Sequence, residues 1–222
     1  NNVTLNSVSN DGNKPVITAN NQNYTFDAVL YATGRRPNTT NIGLENTDIT
    51  TNERSSIIVN DTCESSVPGV YAVGDVNGGP QFTYISLDDF RIVFGALTGN
   101  GNYTLKDRKN IPYTTFLTPP LARVVLTEQE AINKGYTVKT KELLVATMPR
   151  AHVNDNLKGA FKIVVDAKNN LILGATLYAQ SAEELIKLIK MAMDNNIPYT
   201  YFKNQIFTHP TMAENLNDLC NF

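Results

Sequence analysis

Apolar and polar residues alternate along residues 3–26, and the alternation is broken by Asn-rich turns. Val3-Thr4-Leu5, a turn at Asn10-Asp11-Gly12-Asn13, Val16-Ile17-Thr18, a second turn at Asn20–Asn23, and Tyr24-Thr25-Phe26 predict a β-meander. The alternation then gives way to short unbroken apolar runs. Ala28-Val29-Leu30-Tyr31-Ala32 and Val70-Tyr71-Ala72-Val73 have the length and composition of buried strands, the second of them parallel. Between them, residues 38–68 read as loops with one apolar run, Ser56-Ile57-Ile58-Val59. Apolar residues at Phe90, Val93, Phe94 and Leu97 predict a half-buried helix, which Ser86-x-x-Asp89 would open with Asp88 and Asp89 as caps.

A Gly/Asn/charge-rich stretch at 98–113 predicts a linker, and beyond it the pattern changes again. A strand is expected at Ala122–Leu126. Thr127-Glu128-Gln129-Glu130 predicts a capped helix ending at Gly135, and Thr137–Thr147 reads as a further strand. Phe161–Asp166 and Leu171–Tyr178 form a predicted hairpin turning at Lys168-Asn169-Asn170. Ser181-Ala182-Glu183-Glu184 opens a second helix with Leu185, Leu188, Ile189, Ala192 and Met193 on one face. Met191 and Met193 read as core or interface residues rather than a ligand box. The expectation is an α+β sandwich of about 110 residues, large enough to fold by itself.

Composition narrows the partners. With 222 residues, 41% hydrophobic, 18% charged and a net charge of −2, the chain has the means for a sizeable core and lacks the basic surface of a nucleic-acid or anionic-membrane binder. Neither partner is expected. No apolar run approaches a membrane span, and Asn1-Asn2-Val3-Thr4 has neither a signal-peptide pattern nor an initiator Met, which predicts a fragment or a processed chain. Cys63 and Cys220 are far apart in sequence and make no C-x-x-C or metal-ligand cluster, so two reduced thiols in a cytoplasmic protein, with no metal, are expected.

Three stretches carry candidate chemistry. Gly74-Asp75, after an apolar run and before Asn77-Gly78-Gly79-Pro80, would put an acid and flexible backbone at the carboxyl end of a strand, where α/β folds bind ligands; a surface turn is the plainer reading. Thr33-Gly34-Arg35-Arg36-Pro37-Asn38 is a tight turn at which proline stops the sheet. Thr208-His209-Pro210-Thr211-Met212-Ala213-Glu214 sets an imidazole before a proline and a carboxylate five residues later. A carboxylate on one ring nitrogen would orient His209 for proton transfer, yet Thr211-x-x-Glu214 is equally a capping box ahead of a helix over Thr211–Leu219. His152, without an acid at motif spacing, reads as a solvated loop histidine.

The stretch from Val67 to Asp89, VPGVYAVGDVNGGPQFTYISLDD, resembles the second flavin-binding motif of the pyridine nucleotide-disulfide oxidoreductases, the family of glutathione reductase, dihydrolipoamide dehydrogenase and mercuric reductase. The run Gly79–Val93 is most similar to the reactive-chlorine-resistance branch, which reduces hypothiocyanous acid. The resemblance implies that Asp75 binds the ribityl chain of FAD and that the Thr83 backbone meets the flavin pyrimidine, with Gly74, Gln81 and Phe82 in the same loop. It makes Ala32-Thr33-Gly34-Arg35 the crossover between nicotinamide and flavin domains, with Gly34 and Arg35 near the dinucleotide. Thr118-Pro119-Pro120-Leu121-Ala122-Arg123-Val124 and Met148-Pro149-Arg150-Ala151 resemble the interface domain, and His209-Pro210-Thr211-x-x-Glu214 resembles the catalytic pair that serves the partner's dithiol.

The family's G-x-G-x-x-G fingerprints and C-x4-C disulfide are missing from this sequence, which therefore looks like the carboxyl-terminal half of a longer enzyme. The implied fold is α/β and α+β: residues 1–34 end a nicotinamide-binding domain, 35–110 belong to a FAD-binding domain, and 111–222 form an interface domain that makes a homodimer. The implied activity passes electrons from NAD(P)H through FAD and a disulfide, supplied by the missing amino-terminal half, to a soluble oxidised small molecule. The isolated chain is expected to be inactive and not to hold FAD. The alternatives are a non-catalytic dimerisation module or scaffold, and a flavin-dependent oxidase or peroxidase.

Overall fold

The computed structural model describes residues 2–222; Asn1, part of the amino-terminal reading above, lies outside the described residues. Three antiparallel strands form the predicted meander: β1 (Leu5–Asp11), β2 (Lys14–Ala19) and β3 (Gln22–Thr25). Asn13 donates to the Asp11 carbonyl at 2.7 Å in the first turn, and Asn20 and Asn21 adopt the left-handed backbone in the second. Asn tolerates that conformation because its short amide can hydrogen-bond locally.

The two apolar runs read as buried strands are not strands. Residues 28–32 form neither strand nor helix, with Leu30 89% and Tyr31 83% exposed. At 70–73 a single antiparallel bridge joins Tyr71 to Glu64, and Val70 and Val73 are exposed while Ala72 is buried. A strand is stable only with neighbours to take up its backbone groups and cover its faces; among the described residues 28–32 have no strand partner, and 70–73 have only the bridge to Glu64 with its flanking hydrogen bonds to Cys63 and Ser65.

Helix α1 (Thr83–Thr98) starts three residues before the expected Ser86. Phe82 flanks it with extended backbone and no side chain caps the first turn, so neither Asp88 nor Asp89 is a cap. The buried face is Ile85, Asp89 and Ile92 rather than Phe90, Phe94 and Leu97, which are exposed, with Val93 half-buried. Both faces have helical spacing, and the one that is covered is the one meeting the Gly74–Asn77 turn and the segment after the helix. That segment, read as a linker, is a packed strap. It contains a 3-10 turn at Leu105–Asp107, closed by a Thr104/Asp107 capping box, and Leu105 N–H donates to the Asp61 carbonyl at 2.9 Å.

Residues from 112 onward build a five-stranded antiparallel sheet in the order β4-β5-β8-β7-β6, from β4 (Pro112–Thr115), β5 (Leu121–Val125), β6 (Val138–Leu144), β7 (Ala160–Asp166) and β8 (Ile172–Tyr178). The β7–β8 hairpin pairs Phe161 with Leu177 and Ile163 with Ala175. Alternation places Ala122 and Val124 of β5 on the core side and Arg123 on the other. Gly174 is required where β8 passes β5, because a Cβ there would stand 2.0 Å from the Leu126 carbonyl oxygen.

Short helices α2 (Glu128–Asn133) and α3 (Pro149–Val153) connect the strands. The predicted box on α2 forms fully: Thr127 Oγ1 accepts from Glu130 N–H, and the Glu130 carboxylate accepts from Thr127 N–H. His152 sits on α3 rather than in a loop, exposed, with Nε2 2.8 Å from the Ala146 carbonyl. Helix α4 (Ala182–Asp194) packs across β8, β5 and β4 with Ala182, Leu185, Ile186, Ile189 and Ala192 buried. Leu188 and Met191 stay exposed and Met193 is half-buried; Ser181 has a left-handed backbone and caps nothing with its side chain. Helices α5 (Tyr199–Lys203) and α6 (Leu216–Leu219) close the core; Leu216 and Leu219 are fully buried, and α6 packs on β6 and β7. No described helix is long and apolar enough to cross a membrane.

Candidate functional site

Two groups of residues carry the candidate chemistry. The first is the segment before α6. Met212, Leu216 and Leu219 anchor it in the core, and Asn215, nearly fully buried, donates to the Thr211 and Met212 carbonyls. On that base, His209 and Glu214 meet: Nδ1 lies 2.9 Å from Oε2. The other carboxylate oxygen, Oε1, accepts from Thr211 N–H at 3.2 Å, and Thr211 Oγ1 accepts from Glu214 N–H at 3.2 Å.

The cap and the imidazole contact thus coexist on different oxygens of one carboxylate. The helix expected over Thr211–Leu219 is shorter, a 3-10 turn at Ala213–Asn215 followed by α6. Because a carboxylate only accepts, His209 Nδ1–H is the donor, which leaves Nε2 with its lone pair when the ring is neutral. The ring is 68% exposed while Glu214 is only 15% exposed, so an oriented imidazole faces outward from a fixed acid.

The second group surrounds Gly74–Asn77. Gly74 has φ 75°, and a Cβ there would sit 2.6 Å from Ser86 Oγ, so both backbone and space require glycine. The adjacent Asp75 carboxylate is 44% exposed and faces the exposed guanidinium of Arg35 at 3.8 Å. Gly34, next to Arg35, has φ 101° and open space around its Cα. The structure therefore brings together two stretches that are separate in sequence. Gln81, Phe82 and Thr83 are exposed at the uncapped start of α1, where Phe82 stacks on Tyr113 with centroids 5.9 Å apart. Among the described residues, no hydrogen bond or ion pair joins this group to His209 and Glu214.

Beneath the turn lies a charged cluster that sequence reasoning missed. Asp89, fully buried, accepts from Gly74 N–H at 2.7 Å and from Asn77 Nδ2 at 2.9 Å through Oδ2, while Oδ1 takes Arg108 Nη2. Arg108 Nε donates to Asp88 Oδ2 at 2.7 Å. Burial alone would lower the Arg108 pKa, but the hydrogen bonds that Arg108 donates to Asp89 and Asp88, together with their negative charges, outweigh it and the net shift is upward. The signal was available: an acid four residues after Ile85 and three before Ile92 lies on an apolar helix face and needs a partner.

Neither cysteine is poised for reaction. Both are buried and unpaired; burial, with Asp89 adding to it, pushes the Cys63 thiol up to about 11, and burial pushes Cys220 up to about 12. No metal-ligating cluster of three or more His, Cys, Asp or Glu occurs among the described residues.

The geometry at Asp75 fits a polyhydroxylated, electron-rich ligand such as FAD: an exposed acceptor carboxylate, a backbone that allows close approach, and free N–H groups at the start of a 16-residue helix. Comparison with known proteins agrees in kind. Residues 1–89 match the family model described as pyridine nucleotide-disulphide oxidoreductase, and residues 111–220 match the model of that family's dimerisation domain. The chain is 43% identical over 218 residues to the probable pyridine nucleotide-disulfide oxidoreductase RclA of Escherichia coli, covering 98% of this chain and 49% of that protein. It is 34% identical to the mercuric reductase of Staphylococcus aureus, covering 96% and 40%. The solved structure titled HOCl-induced flavoprotein disulfide reductase RclA from E. coli superposes with a TM-score of 0.90 at 42% identity, over 98% of this chain and 50% of that one. The chain spans about half the length of these relatives. With two models of one family accounting for most of its length, and the fold following the same order, the chain belongs to the class I pyridine nucleotide-disulfide oxidoreductases and is closely related to RclA.

Proposed function

We propose that the full-length enzyme is a homodimeric, FAD-dependent NAD(P)H:disulfide oxidoreductase whose dithiol reduces a small oxidised substrate, with hypothiocyanous acid favoured. Residues 1–34 then end the nicotinamide-binding domain, 35–110 complete the FAD-binding domain, and 111–222 form the dimer interface. The observation that carries the reading is the His209–Glu214 contact at 2.9 Å on a segment rooted in the core. An amino-terminal half would supply the strands that residues 28–32 and 70–73 lack, and would cover their exposed apolar side chains.

FAD, when bound, would carry two electrons from NAD(P)H to the disulfide. The chain's own residues do the rest. Asp75 would accept hydrogen bonds from the cofactor's hydroxyls, Gly74 would let the backbone approach it, and Gln81, Phe82 and the Thr83 N–H, exposed at the start of α1, would hold its ring system. Gly34 and Arg35 stand where the two nucleotide domains meet. Glu214 holds His209 by Nδ1–H, so that Nε2 takes the proton of the partner's thiol and returns one when the disulfide is reduced. The thiolate is the nucleophile: it attacks the sulfur of hypothiocyanous acid and displaces hydroxide, which leaves as water, and the second thiol then displaces thiocyanate, so the two electrons lost as the disulfide re-forms reduce the substrate.

Anaerobic titration of the full-length enzyme with NADPH, then NADH, tests this. A long-wavelength thiolate-to-flavin band is expected, and the nucleotide that raises it fast is the physiological one. Bleaching without that band points to an oxidase or peroxidase, and absence of flavin to a scaffold.

A further inference from the structure

The buried cluster under the Gly74–Asn77 turn is joined to the rest of the chain by the strap that follows α1. Asn100 N–H donates to the Gly95 carbonyl at 3.2 Å, and Gly101 lies so close to Gly95 that a Cβ on Gly101 would be 2.9 Å from the Gly95 Cα. From that crossing the strap runs back along the helix. Tyr103 OH reaches Asp88 Oδ2 at 3.4 Å, the Leu105–Asp107 turn is pinned to Asp61, and Arg108 arrives between Asp88 and Asp89.

The burial is graded toward the loop: Arg108 is 10% exposed, Asp88 14% and Asp89 not at all. Each polar atom has a distinct task. Asp89 Oδ1 is held by Arg108, which frees Oδ2 to grip the Gly74 N–H and the Asn77 amide together. Without the guanidinium, a fully buried carboxylate would lose the one cationic partner it has among the described residues, in a place water does not reach. Asp75 lies between the two gripped residues, so the same contacts fix the turn from which its side chain projects.

We propose that Arg108 and Asp89 are positioning residues for the cofactor loop: the strap delivers Arg108 to Asp89, and Asp89 fixes Gly74 and Asn77 so that Asp75 is presented outward to the flavin's hydroxyls. This rests on the reading of Asp75 as a FAD ligand. In this reading neither residue is a cofactor contact, and both act through the Gly74 backbone N–H and the Asn77 side-chain amide.

The test compares full-length holoenzymes carrying Arg108→Gln, Arg108→Lys, Lys106→Gln and Asp75→Ala, by amide hydrogen exchange over 74–77 and by the rate of FAD release. Arg108→Gln should speed exchange at Gly74, whose backbone N–H Asp89 holds, roughly tenfold or more and speed FAD release to a similar degree. Arg108→Lys keeps a charge without the two-pronged reach and should fall in between, and it keeps the comparison decisive if the Gln variant does not fold. Lys106→Gln removes only the exposed strap pair with Asp61 and should leave both readouts unchanged. Unchanged exchange at Gly74 in the Arg108 variants overturns the positioning role. Faster exchange with FAD release unaltered in both Arg108→Gln and Asp75→Ala overturns the flavin reading, and the proposal with it.

Discussion

His209→Ala in the full-length enzyme is expected to lower turnover roughly 10²–10⁴-fold, the usual worth of a positioned general acid–base group, while FAD stays bound. The reasons are local. Nδ1–H is committed to Glu214 Oε2, so Nε2 alone is free to exchange a proton, and the side chain is 68% exposed. Alanine removes the proton carrier without disturbing the anchor, because Glu214 keeps its contact with Thr211 N–H and the buried Leu216 and Leu219 are untouched. Steady-state kinetics alongside the flavin spectrum check this. A variant of undiminished turnover removes His209 from the mechanism.

Phe161→Ala should be the most destabilising of single core truncations, at about 3–5 kcal/mol. Phe161 has no exposed surface and lies on β7 between Leu143 of β6 and Leu177 of β8, with α6 packed nearby. Truncation leaves a cavity that the two neighbouring strands, fixed by their hydrogen bonds, cannot close. Urea denaturation followed by far-UV circular dichroism should show the loss. Lys162→Ala, one position along and facing the other way, removes an ion pair with Glu128 that is about 40% exposed on both sides, and should cost no more than ~1 kcal/mol. Equal losses in the two variants would contradict the assignment of the core face.

The interface domain was legible because its signals are local. A capping box at Thr127–Glu130, a turn at 168–170 and the short apolar run ending at Leu126 each fix an element within a few residues, and the helix, the hairpin and the strand are found there. Residues 28–32 and 70–73 were misread for the converse reason. Their composition is that of a buried strand, but burial depends on neighbours that no described segment supplies. Helix α1 shows a subtler failure. Phe90, Phe94 and Leu97 outrank Ile85, Asp89 and Ile92 in apolarity, yet the latter face is the covered one, because the Gly74–Asn77 turn and the strap meet it through a buried acid. Apolar periodicity does not register an acid neutralised by an arginine nineteen residues away.

At the candidate site, sequence spacing brought His209 and Glu214 within reach but left cap and imidazole contact as rivals. Two oxygens on one carboxylate satisfy both. Asp75 and Arg35, forty residues apart, meet only through the fold, and no local pattern announces that contact.

Subunit complementation tests the central claim most directly. His209→Ala enzyme is mixed, under conditions that exchange subunits, with full-length enzyme lacking its redox cysteine pair, each inactive alone. If the histidine serves the partner's dithiol, hybrid dimers carry one intact site, and random assortment should restore about a quarter of wild-type activity. Activity that stays at the level of the separate variants after verified exchange would contradict a site shared between subunits.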